Sequence, residues 1–159
     1  MWAASQDQRD RIAQAGFELV PGELLASAVG EGAELEGITT VMLLTDEDDF
    51  NALAATVLAG SNGPWVYRLG PRQPSHGVVA PYTAAESLFG PDLTRYDVAN
   101  RYDAGARITL VPADRTIPPK ADILFLITPA GALVPATTSH PPIPRSADTL
   151  VLLGSRQVK

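Results

Sequence analysis

Residues 38–60 constrain the fold of this chain most strongly, because an apolar run there is followed at once by an amphipathic helix. Residues 41–44 show no alternation of polar and apolar side chains, which predicts a parallel strand buried on both faces. Thr45 is then the expected N-cap of the helix, with Asp48 as its partner three residues later, and Gly60 is expected to end it. A strand that runs directly into a crossover helix indicates an α/β sheet.

The helix after this strand is predicted to turn one apolar face toward the sheet. Because an α-helix has 3.6 residues per turn, side chains three and four positions apart share a face. The inward-facing residues are therefore expected to be Phe50, Leu53, Ala54, Val57 and Leu58.

Composition excludes several classes of function. The 159 residues suffice for one domain, or two small lobes, with a core that needs no disulfide. The sequence contains no cysteine, which rules out thiolate metal sites. The net charge of -6 argues against binding to the phosphate backbone of nucleic acids. No apolar run approaches the roughly 20 residues of a membrane-spanning helix, so we expect this segment to be soluble and not to insert into a membrane.

The remaining helices and strands are predicted from caps, glycine stops and apolar runs. Three prolines and two glycines between residues 70 and 81 predict a linker. We therefore divide the chain into a first lobe (1–72), a linker (73–87) and a small α+β lobe (88–159). The predicted elements are a helix at 6–15, a strand at 17–20, a turn at 21–23, a helix at 24–29, a strand at 65–69, a helix at 94–104 opened by a capping box of Thr94 and Asp97, and strands at 107–111, 123–127 and 149–153.

Several segments, in their order and spacing, resemble the cytoplasmic carboxy-terminal region of bacterial monovalent cation/proton antiporters. The resemblance begins with three segments, at residues 45–54 (TDEDDFNALA), 65–69 (WVYRL) and 88–94 (LFGPDLT). Two later segments, at residues 122–135 and 146–154, are similar to the paired strands of that region's small lobe. The region looks like an RCK module (regulator of potassium conductance). The resemblance implies a partial Rossmann-like parallel sheet followed by a small α+β RCK-C-like lobe, and it covers nearly the whole chain.

The sequence departs from that family in its nucleotide lobe. A complete Rossmann lobe opens with a strand, a glycine-rich phosphate loop and a second strand that ends in a ribose-binding acid. The sequence lacks this first βαβ half. Two strand edges, those of residues 17–20 and of the central strand, would then lack their usual neighbours. We expect a second copy of the chain, exchanged elements or another polypeptide to cover them.

The resemblance places a cofactor site at Gly22, Glu23, Thr45 and Asn51. An adenine nucleotide or NAD(H) would be the ligand, although the phosphate loop is absent and the family commonly has Gly-Asp where this chain has Gly22-Glu23. Thr45 as an N-cap and Asn51 as an exposed helical residue would explain two of these positions without a ligand.

Other polar groups have ordinary structural explanations. The acids at 46–49 suit a first helical turn better than a cation site. His76 and His140 lie in proline-rich loops and are expected to be solvated. The scattered arginines are expected to pair with nearby carboxylates, although an anionic effector between the lobes would also use them. The sequence indicates no metal site and no catalytic constellation.

The resemblance therefore implies a non-enzymatic regulatory domain of an antiporter that exchanges Na+ or K+ for protons. Such a domain would lie at the cytoplasmic face of the cell membrane, linked to a membrane antiporter domain, and would act through ligand-dependent or constitutive homodimer packing. Two alternatives stay open: a nucleotide-binding, Rossmann-derived enzyme fragment, and a purely structural dimerisation domain.

Overall fold

The computed structural model describes residues 1–3, 5–24, 36–45, 47–59, 64–70, 85–90 and 93–155. Within these ranges the chain forms three helices and seven strands, which lie in two sheets. The helices are α1 (Gln6–Gln14), α2 (Asp48–Leu58) and α3 (Arg95–Asp103), and the strands are β1 (Thr40–Leu43), β2 (Trp65–Leu69), β3 (Glu86–Leu88), β4 (Ala106–Pro112), β5 (Asp122–Ile127), β6 (Leu133–Pro135) and β7 (Thr149–Ser155).

The first sheet is parallel, with the strand order β1-β2-β3. Helix α2 follows β1 and covers one face of the sheet, as a crossover helix does in an α/β fold. The core between them contains Val41, Leu43, Ala54, Ala55, Leu58 and Val66. The predicted strand at 65–69 is confirmed as β2, and the α/β character of this part of the chain is confirmed with it.

The second sheet is antiparallel, with the strand order β4-β7-β5-β6. Helix α3 packs against it through Val98, beside a buried cluster of Leu124, Leu153 and Leu93, which lies just before the helix. Thr94 and Asp97 form the predicted capping box at the start of α3. The sequence therefore located this helix and three of the four strands from local signals.

The two sheets meet at β3, a strand that the sequence did not predict. The Phe89 amide donates to the Ala136 carbonyl at 2.7 Å, and the Thr138 amide donates to the Ser87 carbonyl at 3.0 Å. Leu88 and Thr137 thereby form an antiparallel bridge between β3 and the segment after β6. This junction lies where the predicted linker meets the predicted small lobe.

Helix α2 agrees with its prediction in part: Phe50, Ala54 and Leu58 pack in or against the core as expected, but the start of the helix and the rest of its buried face differ. Its N-cap is Glu47, which makes no side-chain capping bond, so Thr45 is not the N-cap. Leu53 and Val57 are exposed, whereas the polar Asn51 is buried. Two overlapping patterns of three- and four-residue spacing exist in this helix, and the structure uses the one with the smaller side chains, which allow close approach to the sheet. The buried residues are Asn51, Ala52, Ala54, Ala55 and Leu58.

Two other predictions for the first half of the chain need correction. Residues 17–20 form no strand, and Phe17 is exposed; the Val20 amide instead donates to the Met1 carbonyl at 2.9 Å. The parallel strand predicted at 41–44 is confirmed as β1, which pairs with β2. It ends at Leu43, however, and only Val41 and Leu43 in it are buried, so its faces are not equally covered. The apolar side chains at 41–44 did not by themselves show which of these residues are buried. The predicted helix at 24–29, apart from Leu24, lies outside the described residues.

Candidate functional site

Two of the four predicted site residues, Thr45 and Asn51, lie together where β1 leads into α2. The Thr45 hydroxyl donates to the Asn51 side-chain oxygen at 2.8 Å, and the Asn51 amide nitrogen donates to the Thr45 carbonyl at 3.0 Å. Asn51 is only 1% exposed, so the expectation of an exposed residue is wrong. A buried carboxamide is stable only when hydrogen-bonded, and Thr45 supplies both partners. The pair thus fixes the strand-to-helix connection.

The same hydrogen bonds limit what this site offers to a ligand. The Thr45 hydroxyl also accepts from the Glu47 amide at 3.3 Å, so both side chains are used within the connection itself. A nucleotide at the carboxyl end of β1 would have to compete with these bonds. The geometry therefore favours a structural role for Thr45 and Asn51.

The other two predicted site residues, Gly22 and Glu23, lie in an exposed turn. Gly22 has a φ of +85°, a conformation that glycine adopts without strain. The next residue, Leu24, packs against the core of the first sheet. In the described part of the chain, neither Gly22 nor Glu23 hydrogen-bonds to Thr45 or Asn51. The structure thus brings together two of the four predicted positions.

Several of the predicted acids and arginines have local positions that explain them: Asp48 and Asp49 lie in the first turn of α2. Among the residues that the structure describes, no group of three or more His, Cys, Asp or Glu side chains could hold a metal ion. Arg101 pairs with Asp122, and its guanidinium also donates to the Lys120 carbonyl at 3.0 Å. The Arg107 guanidinium lies 4.6 Å from the centre of the Tyr102 ring. These arginines stabilise their own chain.

A polar cluster that the sequence did not predict lies at the junction of the two sheets. We call Tyr67, Glu86, Thr137 and His140 the junction cluster. The Thr137 hydroxyl donates to a Glu86 carboxylate oxygen at 2.7 Å. The His140 ring nitrogen Nδ1 lies 3.1 Å from the other oxygen of that carboxylate, Oε1. One carboxylate from the first sheet is therefore held by two side chains from the segment after β6.

The backbone explains why these side chains converge. Glu86 begins β3 and lies opposite Tyr67 in the parallel pairing of β2 with β3. Thr137 is buried because it bridges to Leu88 on the other edge of β3. The His140 amide donates to the Thr137 hydroxyl at 3.0 Å, which turns the loop back so that the imidazole reaches Glu86. The His140 side chain is 78% exposed, so the prediction that it is solvated is confirmed. Its contact with Glu86 was not predicted from the sequence.

The cluster has a defined pattern of charge. The hydrogen bond from Thr137 lowers the pKa of the Glu86 carboxyl below its ordinary value, against an opposing effect of burial, and His140 lowers it further. Burial raises the pKa of the Tyr67 phenol, and the charge on Glu86 raises it further. At neutral pH the cluster therefore contains an ionised carboxylate beside a protonated phenol.

Comparison of the chain with protein-family models, with curated proteins and with solved structures gave no match. Within the described ranges, no helix is both long enough and apolar enough to cross a bilayer.

Proposed function

We propose that this chain is a regulatory domain of a monovalent cation/proton antiporter and that it acts through the packing of two copies. The antiporter assignment is supported by the ordered segments at 45–54, 65–69 and 88–94, which resemble the cytoplasmic region of those transporters. A parallel sheet followed by an antiparallel sheet with one helix is the order that such an RCK-like region would have.

The main observation in support of the proposed dimer is the exposed edge strand β4. This strand is seven residues long and, among the described residues, lies at the edge of the second sheet. Ile108 is 57% exposed and Leu110 is 64% exposed, although both are aliphatic residues of a strand. Natural proteins protect such edges with charges or prolines, and between Ile108 and Val111 this strand has neither. We call the exposed strand with these two side chains the β4 edge.

The β4 edge is complementary to itself. Thr109 is the central residue of the strand. If two antiparallel β4 strands pair about Thr109, Ile108 of each copy lies directly opposite Leu110 of the other. A two-fold axis at Thr109 therefore creates a cluster of four aliphatic side chains and a continuous sheet of eight strands. The only charged residue of the strand, Arg107, donates to the carbonyls of Tyr102 and Ala106 in its own chain.

Strand β1 is a weaker candidate for this contact. It too lies at the edge of its sheet among the described residues, but it has only four residues. Its two buried side chains, Val41 and Leu43, already pack on α2. The longer and more exposed β4 edge is therefore the better dimer surface.

The proposed dimer is tested by light scattering of the full chain over a concentration series. Leu110→Lys places a charge opposite Ile108 of the second copy, so the variant should be monomeric where the wild type is dimeric. The matched control is Ile143→Lys, because Ile143 is 87% exposed and lies outside every strand, and this variant should dimerise like the wild type. A monomeric wild type, or dimers in both variants, would overturn the β4 contact.

Whether the chain binds a ligand that affects dimer formation is tested separately, by calorimetric titration with adenine nucleotides and NAD(H). We expect the dimer to form without either ligand, because Thr45 and Asn51 are engaged with each other. Heat of binding that disappears in Glu23→Ala would instead support the nucleotide-binding alternative. That result would leave the dimer measurement unaffected.

A further inference from the structure

The contact between Glu86 and His140 joins two parts of the chain that belong to different sheets. Glu86 lies on β3 of the parallel sheet, whereas His140 lies 54 residues later, in the segment that follows β6 of the antiparallel sheet. Two amide hydrogen bonds run beside this contact, those donated by Phe89 and Thr138. The ion pair is therefore placed to stabilise the junction between the sheets.

The junction has one strained residue. Phe89, directly after β3, has a φ of 67°, which is unusual for a residue with a side chain. Its ring packs edge-on against Phe125 at 5.3 Å between centroids, and this contact helps to hold the strained conformation. Stabilising contacts across the junction oppose that strain, so their loss favours opening of the Phe89 and Thr138 hydrogen bonds.

We propose that the junction cluster is a proton-responsive latch, in which protonation of His140 strengthens its contact with Glu86 and so closes the pairing of β3 with residues 136–138. Histidine side chains ordinarily change charge between pH 5 and 8, whereas carboxylates are ionised throughout that range. The attraction thus exists at the acidic end of the range and fades at the alkaline end. The depressed pKa of Glu86 keeps the carboxylate charged throughout.

The groups around Glu86 support the assignment of this response to His140. Tyr67 faces Glu86 from β2 and stays protonated, since burial raises the pKa of its phenol. From the loop, the Thr137 hydroxyl donates to the carboxylate, and the Ser139 hydroxyl also lowers the pKa of Glu86; both hydroxyls are neutral at every pH of interest. Among the described neighbours of Glu86, His140 is the one histidine, the residue type whose side chain ordinarily responds to pH in this range.

The latch is tested by hydrogen exchange of the Phe89 and Thr138 amides in the full chain. In the wild type, the protection factor of both amides, corrected for the intrinsic pH dependence of exchange, should fall by up to about fivefold between pH 5.5 and 7.5, the range expected for an exposed ion pair. In His140→Gln and Glu86→Gln this fall should be absent. In His140→Lys, which is charged at both pH values, protection should stay at its acidic level.

The sequence supplies a matched control, because it contains only one other histidine, His76. His76→Gln should keep the wild-type response. A response that survives in His140→Gln, or one that disappears in His76→Gln, would overturn the proposal. The same holds if the wild type shows no response. The latch does not depend on the antiporter assignment or on the β4 contact, because Leu110→Lys should leave the pH response of the monomer intact.

Discussion

The hydrogen bonds between Thr45 and Asn51 lead to a quantitative prediction. Asn51→Ala removes the carboxamide that accepts from the Thr45 hydroxyl at 2.8 Å and donates to the Thr45 carbonyl at 3.0 Å. Both bonds lie at a buried position, since Asn51 is 1% exposed. The substitution therefore tests whether this pair stabilises the connection from β1 to α2.

The expected magnitude follows from two opposing effects. Each intramolecular hydrogen bond contributes about 1 kcal/mol net, so the loss of two costs about 2 kcal/mol. Alanine is the better helix former, which returns about 0.5 kcal/mol in a helix interior. We therefore expect Asn51→Ala to lower the free energy of unfolding by about 1.5 kcal/mol.

Urea unfolding followed by tryptophan fluorescence measures this change, because Trp65 lies on β2 and pairs with Thr40 of β1. The control is Leu53→Ala, an exposed position in the same helix, which should change the free energy of unfolding by no more than about 0.5 kcal/mol. An Asn51→Ala variant as stable as this control would refute the reasoning. The two polar groups would then have no stabilising role, and a ligand would become the better explanation for them.

Three further predictions concern the second sheet and the junction. Leu150→Ala should lower the free energy of unfolding by about 2–5 kcal/mol in a denaturant titration, because the side chain is fully buried. Thr94→Ala removes the capping bond to the Asp97 amide and should cost about 1 kcal/mol by the same method, with no loss if the cap is not formed in solution. Thr137→Val should raise the pKa of Glu86, measured by carbon NMR of its carboxyl, because the hydroxyl is the main group that lowers it. The lowered folded-state pKa adds stability above the unfolded-state pKa of glutamate, about 4.3, and this is lost as the pH falls through the folded-state value. The stability lost in Thr137→Val should therefore shrink below pH 4, and a constant difference would contradict the assignment.

Elements marked by short local signals could be predicted from the sequence. The capping box of Thr94 and Asp97 lies within four residues, and it located the start of α3 correctly. The run at 65–69 became β2 with the predicted bounds, because a short apolar segment between turn residues has few other structures to adopt. Caps and apolar runs act within a few residues, so one segment suffices to recognise them.

The orientation of α2 could not be predicted in the same way. Apolarity alone favoured a face with Leu53 and Val57, but the structure buries Asn51 with small alanines. Burial of Asn51 becomes favourable only once Thr45 satisfies its side chain. That compensation depends on the geometry of the connection before the helix, which hydrophobic periodicity does not encode.

The junction cluster could not be predicted from the sequence either. Thr137 and Glu86 are 51 residues apart, and they meet because β3 accepts a second neighbour on its free edge. Strand β3 has only three residues, too few for a recognisable alternation. Long-range pairing of short strands is decided by tertiary packing, so no local spacing marked this site.

The central claim, regulation of an antiporter through the β4 edge, is tested most directly by cation/proton exchange in inside-out membrane vesicles. Vesicles would carry the natural polypeptide with the wild-type sequence, Leu110→Lys or Ile143→Lys, and proton movement would be followed after addition of Na+ or K+. We predict that Leu110→Lys alters the dependence of exchange on the cation concentration, whereas Ile143→Lys leaves it unchanged. Exchange that is identical in all three, or no exchange above that of vesicles without the protein, would contradict the account.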